Sequence, residues 1–361
     1  MCRRCFLAQG AGAHADHEPP WPGRAMPRRL RAAPGAPGAR AQRAQDSLRL
    51  RRQQRRRAVP PIPRTGRLTM HAELVITGAA ALSPYGLGVE ALIEGLRAAP
   101  PAYAPVDGAL CDGPAVARVP DYDARELLAT RSVANFDRLT LHVCAAATQL
   151  HQRMGLADTA ARQAQVPDER VSLVLGSSGP LQSVLAFDLQ AIEEPRYVQP
   201  SIYPNVVFNV PASYAAIRHT IRGSCITLTD GDASGLIAFS VAAAQLESGR
   251  IDLALVGAAE EATPAYALYR HSLAHQAGVP AQPQVEGAAL LALETAGQAQ
   301  RHGRATLAGV FGCAHVYAPG RAEQGLAACL DKLRRRFGTL LDEVGTVALA
   351  PELDAAALGL G

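Results

Sequence analysis

Two acids, a hydroxyl and three small residues share one short turn, Asp230-Gly231-Asp232-Ala233-Ser234-Gly235. Ahead of it, Ile226–Thr229 is a β-prone run. Behind it, Leu236–Glu247 is apolar and Ala-rich at helical spacing, and Ile251–Val256 reads as a second apolar strand. A buried strand that turns tightly into a helix suits a nucleophile or a base, because the free N–H groups and positive dipole end of the helix stabilise a developing anion. Asp232 has three readings. As a nucleophile on a thioester it would form a reactive anhydride. As a general base it would need a tuned pKa. The plainest reading is a helix cap, with Asp230 sharing the work. Two acids this close would repel or share a proton if both were buried.

The other reactive side chains read as structural. Cys225 opens the strand before the turn and Cys144 lies on an apolar helix face, and both are expected in the core. His142 and His151 fall on the outer side of a helix and are expected at its surface. His219, His271 and His275 are expected at the surface or hydrogen-bonded. Glu260, Glu261 and Glu286 are expected to accept hydrogen bonds from nearby backbone.

Further elements must position this turn. Leu74–Thr77 and Val171–Leu175 are buried strands, the second followed by Gly176-Ser177-Ser178-Gly179. Val89–Ala98, Phe136–Met154 and Ala212–Ile221 read as helices; Glu286–Glu294 and Ala305–Phe311 read as strands. Apolar strands alternating with helices imply an α/β sheet covered on both faces.

Five segments in order resemble the β-ketoacyl synthases of the thiolase-like superfamily. They are Val75-Ile76-Thr77-Gly78 with Ser83-Pro84, Phe136-Asp137-Arg138, Tyr203–Asn209, the turn with Gly249–Glu260, and Glu286-Gly287-Ala288 with Glu294. The resemblance covers about residues 73–315. It implies a layered α-β-α-β-α fold with a complete N-terminal half and a C-terminal half cut short. It divides the chain into a 1–69 extension, a synthase-like domain over 70–295 and a partial second half over 296–361.

The family's Cys nucleophile falls on Asp232. Pro351, within Val344–Asp354, falls on its first catalytic His, and proline has no titrating group. Gly361 precedes the place of the second His. This pattern is that of chain-length factors, synthase-like subunits without the nucleophile that pair with an active β-ketoacyl synthase. The resemblance therefore implies a heterodimer in a type II fatty acid or polyketide (aryl-polyene-like) system, acting with an acyl carrier protein. Phe208, Asn209, Asp232 and the 177–187 stretch would limit chain length, with Gly231, Ala233, Ser234 and Gly235 shaping the turn. No cofactor or metal is implied. The polyketide branch has Gln where this chain has Asp232, which leaves the subfamily open. Two alternatives stand beside it: an acyl-thioester-processing enzyme that uses Asp232, and a fragment without function.

Composition sets the frame. The 361 residues are 48% hydrophobic, enough for a large core. Residues 1–69 hold sixteen arginines, no lysine and three acids, a net charge of +13; the whole chain is +4, so residues 70–361 carry about −9. The first 69 residues have too little apolar periodicity to fold alone. They are read as sequence ahead of a true start at Met70, as a basic tail, or as a transit peptide. Their arginines could touch nucleic acid or lipid, but no nucleic-acid partner is assigned. No run of 18 apolar residues predicts a membrane span. The seven cysteines show no metal spacing beyond Cys2-x-x-Cys5 and suit a reduced, cytoplasmic setting.

Overall fold

The computed structural model describes residues 73–337, apart from 106–115, 131–132, 134–135, 195–202, 279–282, 317 and 319–321. The 1–69 extension and Val344–Asp354, with Pro351, lie outside the described residues. The chain divides into units 1–67 and 68–361, and every described residue belongs to the second.

In chain order the elements are β1 (Leu74–Ser83), β2 (Gly86–Leu87), α1 (Val89–Ala98), β3 (Val116–Ala117), α2 (Ala124–Leu127), α3 (Arg138–Arg153), α4 (Thr159–Gln165), β4 (Val171–Gly176), α5 (Leu181–Glu193), α6 (Val210–Arg218), β5 (Cys225–Leu228), α7 (Ser234–Glu247), β6 (Leu253–Glu260), α8 (Pro264–Ala277), β7 (Gln284–Val285), β8 (Gly287–Thr295), α9 (Ala296–Arg301), β9 (Ala308–Val310) and α10 (Ala322–Phe337). The main sheet has the order β2-β1-β8-β6-β4-β5, with β9 also paired to β1. It is mixed. β4 lies parallel to both β5 and β6, whereas β8 runs antiparallel to β1 and β6. Among the described residues β5 is an end strand, paired to β4 alone.

Alternation along the strands splits the core in two. Val171, Leu173 and Leu175 of β4 join Leu253 and Leu255 of β6 under α3 and α6. Val174, Ala254 and Val256 face the other way, against Ala238, Ala242 and Leu246 of α7. Leu139, Val143 and Leu150 of α3 are fully buried, each worth about 2 kcal/mol of transfer free energy. Asp137 starts α3 by accepting a 2.6 Å hydrogen bond from the Thr140 N–H. Thr263 does the same for α8 through the Tyr266 N–H, with Pro264 at its first turn.

The element boundaries move in informative ways. α7 begins at Ser234 rather than Leu236. The strand expected over Ile251–Val256 runs over Leu253–Glu260, because pairing to β4 and β8 carries it through residues of low β propensity. His142 and His151 are almost fully buried, not at the surface. The outer side of α3 is not solvent, because α6, Tyr122 and Glu286 cover it. Cys144 is fully buried as expected, and burial pushes its thiol up to about 12. Cys225 is exposed instead of core, since it opens the end strand β5.

Candidate functional site

The turn between β5 and α7 is a single 3-10 turn, Gly231–Ala233, that runs straight into the helix. Neither acid caps α7. Ser234 closes the turn: its Oγ accepts from the Asp230 N–H at 2.7 Å and donates to the Gly231 carbonyl at 2.6 Å. The short 3-10 turn puts Ala233 in the cap position, so Asp232 stands one residue ahead of it and does not bond to the helix N–H groups. Asp230 and Asp232 are both exposed, so the pair of buried acids considered from the sequence does not form. The Asp232 carboxylate instead forms an ion pair with Arg270 of α8. That partner lies 38 residues away, and no sequence spacing announces it.

The floor of the site is built by close backbone approach. A Cβ at Gly176, the last residue of β4, would lie 2.4 Å from the backbone N of Gly235. β4 therefore ends directly against the start of α7. The next turn, 176–179, holds Gly179 at φ +85°, and the Phe208 ring stands where a Gly179 side chain would project. Asn209 precedes α6 and its amide donates to Ser213 Oγ at 3.2 Å. The structure thus gathers the turn 231–235 and the turn 176–179 at one end of the sheet, with Phe208 seated on the second.

Glu260 ends β6 on the α7 side. Its Oε1 accepts from the Ser178 N–H at 2.8 Å and from Ser178 Oγ at 3.2 Å. Its Oε2 is buried with no hydrogen-bond partner among the described residues. Burial pushes this carboxyl up to about 7; the Ser178 hydrogen bonds oppose the shift and nearby Asp232 adds to it. Glu261 accepts from the Gln182 N–H at 3.2 Å, and burial likewise raises it to about 7. Glu286, fully buried, accepts from the Val119 N–H at 2.9 Å and from Arg138 Nη2 at 2.7 Å. Burial alone would raise it, but His142 and Arg138 outweigh that and hold it at about 2. All three acids do bond to backbone, as expected. The sequence gives no sign that Glu260 keeps one oxygen free.

Away from the turn, His219 stacks on His151, with ring centroids 4.0 Å apart and planes 8° from parallel, and its Nε2 lies 3.1 Å from Thr148 Oγ1. His271 is half-buried and His275 exposed. None of the three takes part in the contacts at Asp232. Among the described residues, no group of three or more His, Cys, Asp or Glu is placed to hold a metal ion. Nor is any helix among them long and apolar enough to cross a membrane.

One side of the site is apolar and open. α5 buries none of its residues, and Leu185, Leu189 and Ile192 are exposed along it. Val207, Phe208 and Leu236 are exposed as well. Among the described residues the outer edge of β5 is likewise left without a paired strand.

Comparison with known proteins decides the family. A family model described as the N-terminal domain of β-ketoacyl synthase matches residues 71–283. The chain belongs to the β-ketoacyl synthase family. No curated protein matches it. Among solved structures, the ishigamide ketosynthase/chain length factor is 33% identical, with a TM-score of 0.62 and coverage of 73% of each chain. A structure of AntDE with AntF, a type II PKS acyl-carrier protein in complex with its ketosynthase, is 17% identical, with a TM-score of 0.60 over 73% of this chain and 69% of that one. A β-ketoacyl synthase from Burkholderia phymatum is 20% identical, with a TM-score of 0.55 over 65% and 62%. The last two share the fold. The family's thiolase-like architecture accounts for the mixed sheet and for α7, whose outward side carries exposed Leu236.

Proposed function

We propose that this chain is a chain-length-factor-type subunit that does not itself hold the acyl chain covalently and that pairs with an active β-ketoacyl synthase. The observation that carries the reading is the Asp232–Arg270 ion pair at the head of α7. Where the family has a thiol, this chain has a carboxylate that points to solvent and is neutralised by a guanidinium. A carboxylate so placed is a poor acyl acceptor, and its anhydride would not persist. The exposed α5 side, the β5 edge and the likeness to a ketosynthase/chain length factor structure support the pairing. Apolar area left open beside an unpaired strand is a usual basis for stable association. The acyl carrier protein is then reached through the partner, and the complex works in the cytoplasm without cofactor or metal. Phe208, Asn209 and Asp232 border the space in which the partner's growing chain would end, with Gly231, Ala233, Ser234 and Gly235 shaping it.

The test is co-expression of the full chain with a candidate ketosynthase and its carrier protein, followed by size-exclusion chromatography and product mass. A stable 1:1 complex whose product length shifts when Phe208 is replaced supports the reading. A chain that stays apart from every candidate ketosynthase sinks it.

A further inference from the structure

We infer that Glu260 is a positioning residue: through Ser178 it clamps the turn 176–179 and so sets where Phe208 stands. The consequence for chain length rests on the function proposed above; the clamp itself does not. Three contacts make the chain of action. Glu260 Oε1 takes both the Ser178 N–H and the Ser178 hydroxyl. Ser177 Oγ, one residue earlier, accepts from the Gly179 N–H at 3.0 Å. Gly179, left-handed and bare, is the seat of the Phe208 ring. The turn is anchored at its other end by Gly176 against Gly235, so movement at Ser178 is transmitted to Gly179 rather than absorbed by β4.

The groups around Glu260 decide how the clamp responds. Asp232 faces it from the turn ahead of α7, Arg270 and Tyr266 from α8, and Glu261 follows it in the chain. Arg270 is engaged by Asp232, and Oε2 has no hydrogen-bond partner among the described residues. Tyr266 also bonds to the Ser178 side chain from α8, but the Glu260 part of the clamp hangs on one oxygen, whose strength as an acceptor follows the charge of the carboxyl. An ionised carboxylate takes hydrogen bonds about twice as strong as a neutral carboxyl does. The turn should tighten as Glu260 loses its proton.

The experiment places an indole reporter on the seat. Phe208→Trp is made in the full chain, and acrylamide quenching is measured after subtracting the parent, whose single Trp is Trp21. With Glu260 intact, quenching should fall as pH rises through about 7. Adding Glu260→Ala should raise the quenching rate roughly twofold as the turn loosens, and adding Glu260→Gln should leave quenching flat with pH. Equal quenching with and without Glu260→Ala, or a pH step that survives Glu260→Gln, overturns the inference. If Glu260→Ala does not give a cooperative melt, the Glu260→Gln pH profile still decides. If the reporter responds but the product spectrum of a ketosynthase complex does not change with Glu260→Gln, the clamp stands and the chain-length reading fails.

Discussion

The stacked histidines give the sharpest quantitative test of the fold. His151 of α3 is almost fully buried against the end of α6. Its Nδ1 lies 2.8 Å from the Ala147 carbonyl, and its ring rests on His219. Burial pulls its pKa from 6.5 down to about 4, with Arg162 adding to the shift. His219 is pulled to about 2 by burial, by His151 and by Arg218 and Arg162. Asp168 offsets Arg162 and stands 3.9 Å from Arg222. A depressed His pKa means that the unfolded chain binds the proton first. Stability from this group is therefore intact above about pH 6.5 and lost as pH falls toward the folded value. For His151 alone the loss works out at about 2 kcal/mol at pH 5 and about 3 kcal/mol at pH 4, a large share of a typical 5–15 kcal/mol.

Glu260 and Glu261 act in the opposite sense. Their raised pKa values mean that stability is regained as pH falls from about 7 toward 4.5. The raw pH curve of the protein mixes the two effects, so the assay must be a difference. Urea unfolding of the parent and of His151→Phe, which keeps an aromatic ring against His219, should be compared at pH 7.5, 5 and 4. Whatever packing cost the variant carries is the same at each pH. Its stability relative to the parent should rise by about 2 kcal/mol at pH 5 and about 3 at pH 4. A difference that does not change with pH would refute the buried-neutral assignment.

Three further outcomes are expected. Arg138→Ala leaves the fully buried Glu286 carboxylate without its main partner and should cost about 3–5 kcal/mol in urea unfolding at pH 7; the double variant Arg138→Met with Glu286→Leu should lose less. Cys225 on the exposed β5 edge should alkylate faster than the fully buried Cys144, since burial raises both thiols but takes Cys144 up to about 12 and closes it to reagent, and it should become protected when a ketosynthase binds, as peptide mass mapping would show. Asp232→Asn should leave the product yield of a reconstituted ketosynthase complex unchanged; loss of turnover would move the chemistry to Asp232 and support an acyl-processing enzyme.

Much of the local structure was legible along the chain. Ala-rich helical spacing after the turn marked α7, apolar runs marked β4 and β6, and the amphipathic run Phe136–Met154 marked α3, because propensity and periodicity depend on near neighbours. The order of small-residue turns and strands also sufficed for the family resemblance, which the 71–283 match establishes. Long-range packing decided what these residues do. The sequence put Asp232 at the head of a helix, where a cap was the natural reading. Only the fold brings Arg270 across from α8 to Asp232 and leaves the helix start without a side-chain cap, with Ser234 closing the preceding turn instead. The sequence put His142 and His151 on what looked like an outer helix face, and only α6 and Glu286 turn that face into an interior. It offered Glu260 as one more backbone partner, and the end-on meeting of β4, β6 and α7 leaves one of its oxygens dry and its proton held to about 7. Charge state, exposure and partner are set by groups tens of residues away, and no window along the chain contains them.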